Sequence, residues 1–400
     1  MTGMNDRVLI VGAGPVGLVA ACSLAKADIP VTIIEASREL PRDLRASTFH
    51  PPTLDMLDAF GVTGRLVERG LVCPQWQFRD RAEGAIATFD LGILSDETNH
   101  PYRLQCEQWK LSEELRDLID ADDKIEIIYQ SRATALSQDE HGVTLTIEKP
   151  DGSSENLTAK YLIAADGARS VIRKALEIPF DGLTIPEIFL SMSTTFRFDE
   201  VIPDLASIAY LTDPDEWAVL LRTPSLWRVL LPTDPSQTEE QIKDPATMEG
   251  RLQALCPKDG AYELQHATAY RVHQRVAARY VEGRVFLAGD AAHLNNPLGG
   301  MGMNGGIHDA VNLCEKLASI WNGAPLELMQ RYDRQRRKVA IETVQEQSLR
   351  NRKMMAERDP AARAAYHDEM RRTVENPETH KAFLMRSSMI HSLRNLENVD

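Results

Sequence analysis

The sequence predicts an α/β fold in which a parallel sheet wrapped by helices is interleaved with a second β-sheet region and followed by a helical C-terminal segment. Three observations predict it. A buried strand pattern, VLIV (8–11), runs through a glycine-rich turn into a helix pattern, and a second strand pattern, VTIIE (31–35), follows. Alternating strand-like stretches separated by Pro and Asp turns fill residues 181–269. From about residue 326 the chain is charged and helical in character.

The first glycine-rich turn, GAGPVG (12–17), has the complete context of a dinucleotide-binding motif. Gly12 permits a tight turn, Gly14 lets a pyrophosphate approach the backbone, and Gly17 lets the helix pack closely on the strand. Glu35 ends the second strand 18 residues beyond Gly17, where a carboxylate accepts hydrogen bonds from a ribose 2′-hydroxyl. The motif therefore predicts a Rossmann-like domain that holds an unphosphorylated ADP moiety, as in FAD or NAD.

A second stretch, GGMGMNGGIHDA (299–310), repeats the glycine spacing at Gly300, Gly302 and Gly305 without that context. A loop separates it from the preceding strand, and no strand ending in an acidic residue follows at the required distance. Apolar residues recur along one helical face at 307, 311, 314 and 317. We expect a helix from about Ile307, with the preceding glycines clearing space for a flat ring and the helix dipole facing it.

Three motifs in this order resemble the single-component flavoprotein aromatic hydroxylases of the para-hydroxybenzoate hydroxylase type. They are GAGPVG with Glu35, AADGARSVIR (164–173) and GRVFLAGDAAH (283–293). Shorter matches at RDLRAS (42–47), QWKLSEEL (108–115) and YRVHQRVA (270–277) extend the resemblance over residues 1 to about 345. The fold that it implies is a Rossmann-like FAD-binding domain of the GR2 type.

The resemblance implies the site residues. Those expected to bind the cofactor are Gly12, Ala13, Gly14, Pro15, Val16, Gly17, Glu35, Arg45, Gln108, Asp166, Asp290, Gly300, Gly302, Met303 and Asn304. Pro297 and His293 are the candidates beside the reacting atoms, His50 and Tyr210 are candidates for substrate contact, and no metal is expected. Asp166 has an alternative role as a cap of the helix that follows it.

Two positions depart from the family pattern. Asn296 precedes Pro297 where the family often has Pro-Pro, and Met301 replaces a residue that is commonly glutamine. We expect both changes to alter the polarity of the pocket rather than its chemistry.

The implied activity is hydroxylation of a phenol or a hydroxylated N-heteroaromatic compound through a flavin hydroperoxide. FAD would be tightly bound, NADH or NADPH would bind transiently, and O2 would be the co-substrate. A flavin reductase or dehydrogenase on the same fold, such as a prenyl-chain reductase, is an alternative, and a non-catalytic flavin-binding module is another. The choice between NADH and NADPH stays open, because Glu35 reports on FAD and not on the visiting nucleotide.

The predicted domains are discontinuous. The FAD domain takes residues 1–72, 100–180 and 270–345, the substrate-binding β-sheet domain takes 73–99 and 181–269, and 346–400 forms the C-terminal helical segment. That segment is expected to be a helical cap or the face of a homodimer.

Composition excludes several classes of protein. The 400-residue chain has a formal net charge of −14, which disfavours nucleic acid and anionic membranes as partners. The five scattered cysteines lack CxxC or zinc-like spacing, and the N-terminus lacks the basic region and cleavage site of a signal peptide. We therefore expect a cytoplasmic protein.

Overall fold

The computed structural model describes residues 6–42 and 46–400. Within these ranges the strands are β1 Val8–Val11, β2 Val31–Ile34, β3 Thr48–Phe49, β4 Leu71–Cys73, β5 Gln75–Asp80, β6 Gly84–Asp90, β7 Arg103–Gln105, β8 Ile125–Ile128, β9 Arg132–Gln138, β10 Val143–Glu148, β11 Ser154–Ala159, β12 Tyr161–Ala164, β13 Phe180–Thr194, β14 Ile208–Thr212, β15 Ala218–Arg222, β16 Trp227–Pro232, β17 Leu264–Ala277, β18 Val281–Glu282, β19 Val285–Leu287 and β20 His293–Leu294. The helices are α1 Pro15–Lys26, α2 Pro51–Asp58, α3 Thr63–Arg69, α4 Gln108–Asp120, α5 Val171–Ala175, α6 Glu239–Ile242, α7 Pro245–Leu255, α8 Met301–Trp321, α9 Leu328–Lys338, α10 Glu346–Met355, α11 Pro360–Glu375, α12 Pro377–Ser387 and α13 Ile390–Arg394.

A six-stranded sheet of order β18-β19-β12-β1-β2-β8 forms the centre of the Rossmann-like region. The strand β1 pairs in parallel with β2 and β12, so that Val8 lies opposite both Val31 and Tyr161. All four residues of β1 are buried, as the continuous apolar run predicts for a strand covered on both faces. The helices α1 and α8 pack against each other and contribute to the largest hydrophobic core.

An eight-stranded sheet of order β20-β17-β13-β16-β15-β14-β5-β6 gathers strands that are distant in sequence. Residues 73–99 and 181–269 both supply strands to it, and β5 joins the edge of β14 in parallel. The strand β17 runs through residues 264–277, so a division of the chain between 269 and 270 cuts one strand. The smaller antiparallel sheet β9-β10-β11 lies between β8 and β12 in the chain.

Helices that the sequence reading missed interrupt the β-rich segment at α6 and α7. Each has a clear start signal. At the start of α6, Thr238 forms a capping box with Gln241. At the start of α7, the side chain of Asp244 accepts a hydrogen bond from the backbone N–H of Thr247, and Pro245 is the first helical residue.

The C-terminal helices cover one end of the eight-stranded sheet. A π-helical segment, Val339–Gln345, connects α9 to α10, so the predicted charged helical run is not one regular helix. Phe383 on α12 stacks on Phe89 of β6 with ring centroids 4.6 Å apart, and Phe89 stacks on Trp76 of β5 at 4.2 Å. These contacts close a cavity between sheet and helices. In the described part of the chain, no helix has the length and apolar character needed to cross a membrane.

Candidate active site

The backbone of the first glycine-rich turn needs a glycine at both ends. Gly12 has φ +102°, and a Cβ atom there would lie 2.4 Å from the carbonyl oxygen of Ala165. A Cβ atom on Gly17 would lie 2.0 Å from the carbonyl oxygen of Gly12. At Gly14 nothing lies within 4 Å of such an atom. The turn is therefore packed at its ends and open at its middle glycine, which is the shape a ligand cradle requires.

The N-terminus of α1 opens into this cradle. Gly14 is the N-cap residue and no side chain caps the helix, so the positive end of the helix dipole is available to an anion. Glu35 is half-buried and fixes the turn from the second strand. Its Oε2 accepts from the backbone N–H of Ala13 at 2.8 Å, and its Oε1 accepts from that of Ser37 at 2.8 Å. Pro15 and Val16 belong to the first turn of α1.

Asp166 caps the helix that follows it and leaves one carboxylate oxygen unpaired among the described residues. Its Oδ2 accepts a hydrogen bond from the backbone N–H of Val171 at 2.7 Å, which caps the short helix α5. Its Oδ1 is buried and has no hydrogen-bond partner in the described chain. Burial raises the pKa of this carboxyl group above its usual value. One oxygen is therefore free for a further donor.

Three other cofactor candidates are distributed around the same fold. Gln108 is half-buried at the first position of α4, and its backbone N–H donates to the carbonyl oxygen of Ala46. Asp290 is exposed at the end of β19, beside Gly289. Arg45 lies outside the described residues.

The second glycine-rich stretch differs from the expectation. The helix α8 begins at Met301 rather than near Ile307, so Gly302 and Gly305 lie inside it. Gly300 precedes the helix with φ +67°, in the left-handed region. A Cβ atom on Gly306 would lie 2.7 Å from the Val16 side chain, which means that close packing of α8 on α1 requires this glycine. Met303 is half-buried and packs against the main core.

Asn304 ties this helix to β3. Its Nδ2 donates to the carbonyl oxygens of Thr48 and Gly300 at 2.8 and 2.7 Å, and its Oδ1 accepts from the backbone N–H of His50 at 2.9 Å. His50 is fully buried and its Nε2 lies 2.8 Å from the carbonyl oxygen of Gly299. Burial and the nearby Arg103 hold the pKa of His50 well below its usual value, so its ring is neutral and Nε2 donates that bond.

His293 belongs to a buried ionic network below α8. The ring is 3% exposed, and its Nε2 lies 2.8 Å from Oδ2 of Asp309. Arg336 donates from Nε to Oδ1 of the same carboxylate at 2.6 Å. The guanidinium of Arg336 and the His293 ring lower the pKa of Asp309 to about 2, against the opposing effect of burial. The network joins β20, α8 and α9.

The side chain of Asn296 holds the loop before α8 in place through hydrogen bonds within the protein. The amide of Asn296 donates to the carbonyl oxygen of Ser348 at 3.0 Å and accepts from the backbone N–H of Leu298 at 2.9 Å. The expectation that Asn296 changes the polarity of the pocket is therefore wrong, because its polar atoms are used within the protein. Pro297 is half-buried, and its carbonyl oxygen accepts from the backbone N–H of Gly300.

A cavity lies between the end of this loop, the eight-stranded sheet and the C-terminal helices. Tyr210 on β14 lines it, as a substrate contact requires, and Met301 lines it at the start of α8. His50 is not among the lining residues and lies behind Gly299, which is. The other walls are mostly aromatic or thioether side chains from β5 and α10–α12: Trp76, Phe78, Met354, Met355, Tyr366, Met370 and Phe383.

Sequence reasoning missed most of this lining, including Arg103 on β7, the single charged residue among the cavity's described lining residues. A signal was present, since Arg103 is a charged residue at the start of a short buried strand just before the QWKLSEEL match. The contribution of α10–α12 had no comparable local signal.

Comparison with known proteins gives consistent results. A family model described as FAD binding domain matches residues 5–347. Para-nitrophenol 4-monooxygenase of Pseudomonas sp. (strain WBC-3) is 37% identical over 367 residues, which cover 90% of this chain and 89% of that protein. The 6-hydroxy-3-succinoylpyridine 3-monooxygenase HspB of Pseudomonas putida (strain DSM 28022 / S16) is 31% identical over 398 residues, with 95% and 100% covered. The crystal structure of p-nitrophenol 4-monooxygenase PnpA from Pseudomonas putida DLL-E4 matches with a TM-score of 0.91 at 32% identity, covering 97% of this chain and 98% of that one.

Proposed function

The chain belongs to the FAD-dependent aromatic monooxygenases of the para-hydroxybenzoate hydroxylase type, and on that premise we propose that its substrate is a small phenol or hydroxypyridine bound in the aromatic cavity. The observation that carries the proposal is the cavity itself. It joins Gly299 and Met301, at the start of α8, to walls built from Trp76, Phe383 and other apolar side chains. Its lining is mostly apolar and aromatic with a few polar groups, which is the character of a site for a small aromatic ligand.

The residues of the glycine-rich turn fit FAD. We propose that its pyrophosphate lies over Gly14, where the backbone is open, and against the uncapped N-terminus of α1. Glu35 would accept from the ribose, and the free Oδ1 of Asp166 would accept from a further cofactor group. We propose that the remaining candidates, Gln108, Asp290, Gly300, Gly302, Met303 and Asn304, contact other parts of FAD.

When bound, FAD supplies the redox chemistry, taking electrons from NADH or NADPH and delivering one oxygen atom of O2 to the ring. The chain orients the substrate and excludes water. We propose that the helices α10–α12 perform the second task, because Met354, Met370 and Phe383 close the cavity on the side opposite the sheet.

The catalytic and substrate-contact candidates differ in whether they line the cavity or contact other residues of the protein. Tyr210 lines the cavity and is proposed to touch substrate. Pro297 is proposed to form the wall beside the reacting edge of the ring. His293 is proposed to be a positioning residue, since its Nε2 is bound to Asp309 and its ring is buried. His50 is proposed to position Gly299 through the hydrogen bond to its carbonyl oxygen.

A cytoplasmic location without a nucleic acid partner is part of the proposal, supported by the net charge of −14 and by the free state of all five cysteines. A homodimer is proposed as well, and sedimentation of the purified protein tests it.

The test is rapid mixing of FAD-loaded protein with NADH or NADPH, with and without each of a panel of phenols and hydroxypyridines. The loss of the oxidised-flavin absorption reports reduction, and labelled O2 reports oxygen transfer. We expect one nucleotide and one aromatic class to accelerate reduction and to yield a product with one labelled oxygen atom. Substrate reduction without label in the product would contradict the proposal and favour the reductase alternative.

A further inference from the structure

Arg103 is buried without a counter-ion. The side chain is 2% exposed, and within residues 6–42 and 46–400 its Nε and Nη1 have no hydrogen-bond acceptor and no carboxylate forms an ion pair with it. The Trp76 ring faces it, with the ring centroid 5.1 Å from Cζ, and the Tyr210 hydroxyl lies close by.

Three other buried arginines of the described chain, unlike Arg103, each donate hydrogen bonds to acceptors in the protein, although Nη1 of Arg336 is unpaired. Arg79 donates to Oε1 of Gln77 at 2.8 Å and to the carbonyl oxygen of Pro203 at 3.0 Å. Arg173 donates to the carbonyl oxygen of Ala291 at 2.8 Å, and Arg336 is paired with a carboxylate. An unpaired buried charge destabilises a protein, and burial lowers the pKa of Arg103 in accord with that cost. Because Nε and Nη1 of Arg103 have no acceptor among the described residues, this guanidinium can still take an acceptor from a ligand.

The acceptor has to come from the cavity, because Arg103 is one of its lining residues. Apart from this guanidinium the described lining is uncharged, so an anion placed there has one cationic partner beside neutral donors such as Tyr210, Gln347 and Asn351. The ring of a substrate packed against Trp76 and Phe383 brings its substituent within reach of the same wall.

We propose that Arg103 determines substrate specificity by binding the ring oxygen of the substrate as a phenolate, so that the enzyme selects acidic phenols and hydroxypyridines. The proposal rests on the aromatic monooxygenase function proposed above. A phenolate oxygen is conjugated with the ring, so it both pairs with the guanidinium and makes the ring electron-rich for an electrophilic oxygen atom. In this step the phenol O–H bond breaks, its electron pair stays on oxygen, and the proton passes to solvent.

The experiment compares 4-nitrophenol with its methyl ether, 4-nitroanisole, which has nearly the same shape and cannot ionise. Each compound is titrated into FAD-loaded protein near neutral pH, and the change in flavin fluorescence gives its Kd. The visible absorption of the nitrophenolate gives the bound ionic fraction. We expect wild-type protein to bind the phenol about 10- to 100-fold more tightly than the ether. We expect Arg103→Gln to bind the phenol and the ether with about the same Kd. We expect Arg103→Lys to keep part of the preference for the phenol.

Arg79→Gln is the matched control, since it removes a buried guanidinium from the same wall of the fold without altering the cavity lining. We expect it to keep the wild-type ratio. Thermal unfolding without ligand gives a second readout: Arg103→Gln should be at least as stable as wild type, since it removes an unpaired charge, whereas Arg79→Gln should be less stable.

Several outcomes overturn the proposal while leaving the monooxygenase function intact. They are an unchanged phenol-to-ether ratio in Arg103→Gln, tighter binding of 4-nitrobenzoate than of 4-nitrophenol by wild type, and loss of FAD from Arg103→Gln with the ratio unchanged. Failure of wild-type protein to transfer oxygen to any aromatic overturns the proposed function instead, and the binding ratio still reports on Arg103.

Discussion

Substitution of Gly14 by Ala separates cofactor binding from folding. Gly14 has φ −72° and ψ 174°, which an alanine adopts without strain, and no atom lies within 4 Å of the added methyl group. Loss of glycine's flexibility in the unfolded chain stabilises the apoprotein by about 0.4–1 kcal/mol. The methyl group fills the space proposed for the pyrophosphate and displaces it from the backbone N–H groups. Removal of one hydrogen bond to a charged group costs about 1.5–3 kcal/mol, so the Kd for FAD should rise about 10- to 150-fold.

The assay is a pair of measurements on the same variant. Denaturant unfolding of the apoprotein gives the stability, and the recovery of flavin fluorescence on dilution gives the FAD Kd. Gly17→Ala is the matched control, because its methyl group would collide with the Gly12 carbonyl at 2.0 Å and should lower apoprotein stability by about 1–3 kcal/mol or more. An unchanged FAD Kd in Gly14→Ala would refute the assignment of the pyrophosphate, and a destabilised apoprotein would refute the reading of that space as open.

The remaining predictions concern buried polar groups. The pKa of Asp309 is lowered to about 2 in the folded state, below its unfolded value, so the pair with Arg336 contributes stability above pH 4 that is lost as the pH falls towards 2. Asp309→Asn should therefore be less stable by about 3–5 kcal/mol at neutral pH and show a flatter acid-unfolding profile in thermal scans, and an unaltered profile would contradict the assignment. Asp166→Asn keeps an acceptor for the N–H of Val171, so we expect unfolding within about 1 kcal/mol of wild type but weaker cofactor binding by fluorescence titration; unchanged cofactor binding in Asp166→Asn, with a loss of stability only in Asp166→Ala, would instead indicate a cap alone. Asn304→Ala leaves buried groups of β3 and Gly300 without partners, which should cost about 1–3 kcal/mol in denaturant unfolding and loosen FAD, and a neutral effect would show that water replaces the amide.

Local signals were sufficient for the first glycine-rich turn. Gly17 is required by the carbonyl of Gly12, five residues earlier, and Gly12 by that of Ala165, just beyond β12; the spacing, together with the strand, helix and Glu35 around it, predicted both glycines. The start of α8 was predicted too late because glycine has a low helix propensity, which tertiary packing overrides here: Gly306 fits against Val16 only because it lacks a side chain. The capping box before α6 was equally local and was available to the sequence reading.

The cavity could not be predicted from local sequence signals of this kind. Its walls combine β5, β7 and β14 with helices that lie more than 130 residues later in the chain, and no periodicity links these segments. Asn296 shows the same difficulty at one position, since its partner Ser348 is 52 residues away and decides that the amide points into the scaffold. Sequence reasoning found the elements proposed to hold the cofactor because they are contiguous motifs, and missed the proposed substrate wall because it is assembled from distant segments.

The long ribbon of β13 and β17 has a consequence for how this protein can diversify. Its strands pair from Phe180 opposite Ala277 to Thr194 opposite Leu264. The intervening residues 195–263 therefore leave and re-enter the ribbon at adjacent points, as an inserted domain does. Because closing such an insertion depends only weakly on its length, its loops and helices α6 and α7 can be exchanged or extended while the ribbon keeps its ends in register. Recombination at these two adjacent points can therefore change the segment between β13 and β17 without disturbing the glycine-rich cradle.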